Sequence, residues 1–480
     1  MSIKTPDWVK NAVFYQIFPD RFAKNDAPQL GLWQSQNIEP WDSAPTFNGY
    51  KGGNLWGVID RLDYLKDLGI NAIYFTPIFQ SPANHRYHTH DYYQIDPMLG
   101  GDRAFEALIT AAHQRQIKVV LDGVFNHASR GFFYFNDILE NGSQSAWLDW
   151  FRVEKWPLSA YDGTKPANYI SWVGNRALPQ FNHDNPQVKE YIMQVAEYWL
   201  RRGIDGWRLD VPNEVTTPGF WQEFRDRVKA VNPDAYIVGE IWTDASQWLD
   251  GTQFDGVMNY RFAEATIAWT AGDRFIPEYD QFHYKPYPGI DAATYGDRIT
   301  KLLELYPWEI QLTQLNLLNS HDTSRLLTSV GGDRDSLHLA TTLLLTFPGA
   351  PCIYYGDEVG LPGGQDPDCR RSFPPEADWD LATFKHHQAL IELRYRYPAL
   401  CTGKYQILYA KDEVYSFARI LDSQVVIVAV NASDSSAKVS FAPANLPDKP
   451  RSLVYGDGTL AWQDDILELT VSGRNCLIIA

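Results

Sequence analysis

Short apolar runs rich in β-branched and aromatic residues recur along the chain, separated by stretches whose apolar residues repeat every three or four positions. The runs are VFYQIFP (13–19), NAIYFTPIF (71–79), IKVVLDGVFNH (117–127), GIDGWRLDV (203–211), AYIVGEIW (235–242), FDGVMNY (254–260), LNLLNSHD (315–322) and PCIYYGDE (351–358). Each predicts a strand. Between them, Val58, Leu62, Leu65 and Leu68, and again Val188, Tyr191, Ile192, Val195 and Trp199, fall on one helical face. Alternation of eight strands with helices predicts an α/β fold, a parallel (β/α)8 TIM barrel, rather than a sandwich.

The rhythm breaks twice. Residues 128–180 are aromatic, turn-rich and weakly periodic, which predicts an insertion after the third strand. Beyond about residue 399 the helical spacing gives way to short alternating runs (EVYSFARI, QVVIVAVNA, AKVSFAP, LELTVSG), which predict a C-terminal antiparallel β-sandwich domain. The expected organisation is a barrel over 1–127 and 181–398, an inserted subdomain over 128–180 and a β domain over 399–480. The stretch 270–310 is irregular and reads as loop and helix.

In such a barrel, polar residues at the C-terminal ends of the strands converge on one pocket. This chain places Asp122, Asp210, Glu240 and Asp322 just after apolar strand runs. Taken singly, each could be a helix cap; four together favour a site. Arg208 precedes Asp210 by two residues, so both should face the same side of their strand. A cation there is expected to lower the Asp210 pKa and keep it ionised, while a second carboxyl in a less polar niche stays protonated. That division of labour suits the breaking of a glycosidic bond. His127 and His321 also stand at strand ends; without HxH or HExxH spacing, a metal role for them is the weaker reading.

Composition narrows the partners. A chain of 480 residues suggests more than one domain, and a net charge of −17 repels phosphate backbones and anionic lipid. No nucleic-acid or membrane partner is expected, and no signal-peptide pattern opens the chain. The four cysteines (Cys352, Cys369, Cys401, Cys476) lack metal or disulfide-framework spacing, which suits reduced thiols in a cytoplasm. The 17 Trp and 27 Tyr exceed what packing needs and suit the apolar faces of sugars.

DGVFNH, GWRLDVPNE, GEIW and NSHD, in that order and each on its strand, resemble the signature regions of the α-amylase family of glycoside hydrolases. The resemblance runs from VFYQIFPDRF to the end of the chain. PDWVKNAVFYQIFPDRF, LDYLKDLGINAIYFTPIF, LPQFNHDNP and GGQDPDCRRSF look most like the neopullulanase, cyclomaltodextrinase and maltogenic amylase group. The resemblance implies a retaining hydrolase of α-1,4 and also, as an option, α-1,6 glucosidic bonds in maltooligosaccharides, cyclodextrins, pullulan or starch. Asp210 would be the nucleophile, Glu240 the general acid/base and Asp322 the third acid that grips ring hydroxyls. Arg208, His127 and His321 would complete the reacting subsite, with Tyr87 as a stacking platform and His85 beside it. Trp242 would serve the acceptor side, Asn213 and Glu214 stand where the family varies with linkage preference, and Asp366 with Arg370 would contact the next sugar on the donor side. Asp122 and Asp91 read as architectural.

Departures from the group are equally specific. The extra N-terminal β-domain, which helps to build the group's dimer, is not seen before the barrel, so a homodimer would need another route. The loop calcium site usually draws on an acidic cluster, whereas this chain reads RFAKNDAPQLG and then Gly52, Gly53, Asn54. Calcium prefers several carboxylates, so none is expected to be required. Where the group reads Tyr-Asp-Thr, this chain has Tyr87, His88, Thr89. An α-glucan transferase or glucoside isomerase of the same family remains the alternative, since a covalent intermediate can be captured by a sugar instead of water. A non-catalytic glucan-binding barrel would be expected to have lost one of the three acids.

Overall fold

The structure is a computed structural model that describes residues 3–25, 38–281 and 283–480. Eight parallel strands close into a barrel: β1 (Phe14–Ile17), β2 (Ala72–Phe75), β3 (Lys118–Gly123), β4 (Gly206–Leu209), β5 (Tyr236–Gly239), β6 (Gly256–Asn259), β7 (Leu315–Asn316) and β8 (Ala350–Tyr354). Seven lie within the apolar runs and β8 begins one residue before its own, at Ala350; each pairs with its sequence neighbours, β8 returning to β1. Seven of the eight are buried along their whole length, as expected for strands lined inside by side chains and covered outside by helices.

The helices bury one stripe each. In Pro186–Arg201, Val188, Ile192, Val195 and Trp199 are buried, and Asn185 caps its first turn through Gln187 N. Register positions the chemistry: Asp122 on β3 lies opposite Arg208 on β4, and Gln16 on β1 opposite Tyr74 on β2. At Gly206 a Cβ would come within 2.4 Å of the Tyr236 carbonyl, so only glycine lets β4 and β5 close there.

Between β3 and the helix Pro186–Arg201, the chain forms the helix Phe133–Asn141, several single-turn helices and isolated bridges such as His127 with Gln180 and Phe151 with Phe181. The insertion therefore runs back to the end of β3 and closes against it. Among its described residues, the irregular stretch 270–310 contains the single turns Gly272–Arg274 and Pro277–Tyr279, the regular helix Ala292–Leu305 and the start of a short helix, Trp308–Gln311. At the C-terminus, β9 (Lys404–Lys411), β10 (Val414–Leu421), β11 (Gln424–Asn431), β12 (Ala437–Phe441), β13 (Leu453–Gly456), β14 (Gly458–Gln463), β15 (Ile466–Val471) and β16 (Asn475–Ile479) build two antiparallel sheets, ordered β9-β10-β11-β16-β13 and β12-β15-β14. Ile427, Val439, Leu467, Leu469, Leu477 and Ile479 fill a small core between them, the sandwich that the alternating runs predict.

Candidate active site

The C-terminal ends of the strands surround a cavity of about 590 Å³ whose walls include Asp210, Glu240, Asp322, His85, Tyr87, His127, Trp242, Asp366 and Arg370. The three acids come from three strands far apart in sequence and meet at one opening. Their scaffold is a single buried guanidinium. Arg208, with no exposed surface, donates from Nη1 to Asp122 (2.9 and 3.0 Å) and to Asp210 Oδ1 (2.9 Å), and its Nη2 lies 3.1 Å from Glu240 Oε2. The contact to Asp210 is an aligned hydrogen bond, whereas Nη2 has none. Glu240 is held instead by the Val211 N–H (3.2 Å) and the Trp242 indole N–H (3.0 Å), and Trp242 is itself stacked at 3.8 Å on Tyr260.

Val211, directly after Asp210, has φ 36°, a left-handed conformation that a β-branched residue adopts only when its surroundings demand it. That turn aims its N–H at Glu240 and starts the single-turn helix Pro212–Glu214. Beyond it, Asn213 and Glu214 are exposed, bonded to each other at 3.3 Å, and outside the cavity lining.

A second chain of hydrogen bonds fixes the facing wall. The Gln16 amide donates to His321 Nδ1 (2.8 Å), so the neutral ring carries its proton on Nε2, which faces the Tyr87 hydroxyl (2.6 Å) and Asp322 Oδ2 (3.2 Å). Tyr87 in turn donates to Asp122 (2.9 Å), as does Tyr74 (3.0 Å). The Tyr87 ring lies 2° from parallel with His321. His321 and Arg208 stand behind the cavity wall and hold Tyr87 and the acids in place. Asp122 accepts four hydrogen bonds and lies outside the lining, the architectural role expected of it; Asp91 likewise accepts from the Tyr93 N–H, 2.8 Å away. Arg370 donates to the His321 carbonyl (2.9 Å), sits 3.5 Å from Asp322 and pairs with Asp366 at 3.0 Å.

Electrostatics reverse one expectation. Burial pushes Asp210 well above the ordinary carboxylate range; Arg208 pulls it back, but Glu240 and Asp122 push it up again. Burial likewise raises Glu240 and Asp322, and holds Asp122 at about 6 against the pull of Arg208. The first cause is burial, which disfavours the charged form of each carboxyl; the one guanidinium among them, Arg208, opposes it and is divided among three acids. Burial drives His127 down to about 3 and His85 well below its usual value, leaving both neutral. His127 stacks on Trp172 and its Nε2 has no partner among the described residues, an orphan polar atom in the cavity wall.

Several lining residues escaped sequence reasoning. Phe47, Asn48, His88, Trp172, Asn175, Leu178 and Gln281 lie on loops, where periodicity carries no signal. Gln16 was visible as a polar residue within the apolar run VFYQIFP. At the expected loop metal position, residues 26–37 lie outside the described part. The Asn54 side chain is committed to capping, accepting from Gly57 N at 2.9 Å and donating to the Asn25 carbonyl at 2.9 Å.

A barrel that gathers three carboxyls and stacked aromatics at its strand ends defines a glycosidase site. The α-amylase catalytic-domain family matches residues 16–382, and the α-amylase C-terminal-domain family matches residues 403–479. The chain belongs to the α-amylase family. It is 44% identical to the cyclomaltodextrinase of a Bacillus species, over 89% of this chain and 73% of that protein, and 45% identical to neopullulanase 2 of Thermoactinomyces vulgaris, over 89% and 70%. The crystal structure of the debranching enzyme from Nostoc punctiforme superposes with a TM-score of 0.94 at 62% identity, covering all of both chains.

Proposed function

We propose that this protein is a retaining α-glucan hydrolase acting on α-1,4 and α-1,6 glucosidic bonds, with Asp210 as nucleophile and Glu240 as general acid/base. The observation that carries the reading is the shared guanidinium: Asp210 and Glu240 approach two nitrogens of the same buried Arg208, at 2.9 and 3.1 Å, which gathers two carboxyls at one point of the cavity as a nucleophile and an acid/base acting on one linkage require. Asp210 accepts the aligned bond from Arg208, which favours its ionised form against the effect of burial, the state a nucleophile needs; Glu240 has the role of proton donor to the leaving oxygen. Attack by Asp210 on the anomeric carbon forms a glycosyl ester and breaks the glycosidic bond as Glu240 protonates the leaving oxygen; water then attacks the same carbon, giving its proton to the Glu240 carboxylate and expelling Asp210 as a carboxylate.

Asp322, with 30% of its side chain open to the cavity, grips ring hydroxyls, and His127 stands in the wall beside them, stacked on Trp172. Trp242, Tyr87, Asp366 and Arg370 line the path of the glucan on either side. Capture of the intermediate by a second sugar gives transglycosylation from the same geometry. The α-1,6 reading is supported by the debranching enzyme and the neopullulanase among the relatives. The chemistry needs no metal or organic cofactor, and the four buried free thiols fit a reducing cytoplasm. Among the described residues, no helix is long and apolar enough to cross a membrane.

Separate digests of pullulan, a cyclic dextrin and soluble starch, with products identified by chromatography and their first anomer by NMR, test the reading. An α-anomer with panose- or maltose-sized products is expected. A β-anomer in the first minutes, or no cleavage of any of the three, overturns it.

A further inference from the structure

On the outer flank of the barrel, the inserted segment and the helix Pro186–Arg201 enclose a groove of about 380 Å³ that shares no lining residue with the catalytic cavity. One wall is aromatic: Tyr134 and Trp147 stack at 3.8 Å and 15°, Trp150 meets both edge-on at 4.5 and 5.1 Å, and Tyr191 closes the end. The other wall is Gln187, Glu190, Tyr191 and Gln194, spaced 3, 1 and 3 residues apart and therefore on one helical face.

Packing accounts for only part of this cluster. Trp150 is buried and its indole N–H is satisfied by Gln187 at 3.1 Å, so it joins insertion to helix. Tyr134 and Trp147 are only half-buried, and among the described residues neither the Tyr134 hydroxyl nor the Trp147 indole N–H has a hydrogen-bond partner. Flat rings with polar tips left over, beside carboxamides, match a ligand with apolar faces and hydroxyl edges. Glu190 accepts from Arg227 and from the Gln194 amide, and Gln187 Oε1 accepts from Trp150, which fixes this wall and leaves the Gln187 amide N–H2 and the Gln194 carbonyl oxygen facing outward as ligand contacts. No Lys or Arg lines the groove, which disfavours phosphate-bearing ligands, and its size is that of a small-molecule cleft rather than a protein interface.

We propose that this groove is a second, non-catalytic binding site for a short stretch of α-glucan chain. The choice of ligand rests on the function proposed above. The same insertion contributes Trp172, Asn175 and Leu178 to the catalytic cavity, so one segment would serve both the groove and the reaction. A polymer would then be held by the flank while another part of it is cut, and short substrates would gain nothing.

The test compares the intact protein with Trp147→Ala, Trp147→Phe and Gln194→Ala in two assays: turnover of maltotriose, and retardation on native gels containing soluble amylopectin. Trp147→Ala is expected to keep maltotriose turnover within about twofold and to weaken amylopectin retardation by about fivefold, the scale of one lost aromatic contact. Trp147→Phe should retain most of the retardation and Gln194→Ala should lose part of it. Unchanged retardation in Trp147→Ala overturns the site. If Trp147→Ala loses both properties, Gln194→Ala decides, because it lies on an exposed helical surface: unchanged retardation there overturns the proposal equally. Absence of maltotriose and starch turnover in the intact protein would instead refute the hydrolase reading.

Discussion

Replacing Arg208 by Lys keeps a positive charge at the centre of the site but removes the fork that serves three carboxyls. The guanidinium donates to Asp122 and Asp210 and approaches Glu240 with its second nitrogen; an ammonium is a point charge and cannot span all three. A hydrogen bond to a buried charged group contributes about 1.5–3 kcal/mol, and one pKa unit corresponds to about 1.4 kcal/mol, so losing the bond to Asp210 should raise its pKa by roughly 1–2 units. The direction follows from the present balance: Asp210 is already raised by burial and lowered by Arg208, so weakening the second influence moves it further up. Because the nucleophile must be ionised, the acidic limb of the pH profile of kcat/KM should shift to higher pH by that amount. At the optimum, misplacement of two carboxyls should cost about 100-fold. The assay is kcat/KM on maltotriose from pH 4 to 9, with circular dichroism to show that the barrel is intact. An acidic limb at its original pH, with kcat/KM within threefold of the parent, would refute the role assigned to the shared guanidinium.

Three further outcomes are expected. Trp242→Phe keeps the stack on Tyr260 but removes the N–H that stabilises ionised Glu240, so the basic limb of the profile should move up by less than about one unit with a several-fold loss in kcat, checked by the same pH series. Glu358 is wholly buried and, among the described residues, without a cationic partner, accepting from Tyr15, Tyr64 and Gly356, and burial raises its pKa from 4.5 to about 7. Its protonated form therefore stabilises the fold fully below about pH 4.5, and that contribution, at most about 3 kcal/mol, is lost as pH rises through about 7; urea midpoints at pH 5 and 8 should differ less in Glu358→Gln than in the parent. With Asn54 engaged in capping, prolonged treatment with a calcium chelator should leave melting temperature and starch turnover unchanged, and a marked fall in either would contradict the metal-free account.

Much of this architecture is legible in the sequence because the barrel repeats one simple unit. Each strand is a short apolar run with an acid or amide at its end, and the period of the intervening helices marks where one unit stops and the next begins. The acids at 122, 210, 240 and 322 stand out because a buried strand end has no packing use for a charge. Loop geometry was not legible: the left-handed turn at Val211, which sends Asn213 and Glu214 outward, depends on tertiary constraint that no local propensity records. Trp172 reaches His127 only because the insertion folds back to the end of β3. The upward shift of Asp210 is not legible locally either: Arg208 two residues away points to a lowered pKa, whereas burial in the closed barrel outweighs it, and the register across β3 and β4 adds Asp122 as a competitor for the same guanidinium.

The most direct test of the account is to trap the covalent intermediate. Glu240→Gln should still accept 5-fluoro-α-glucosyl fluoride, whose leaving group needs no protonation, yet be slow to release the sugar. Peptide mapping by mass spectrometry should then find one hexosyl unit on Asp210. A label on Asp322 or any other residue, or no covalent label while fluoride is released with net inversion, would contradict the assignment of Asp210 as nucleophile.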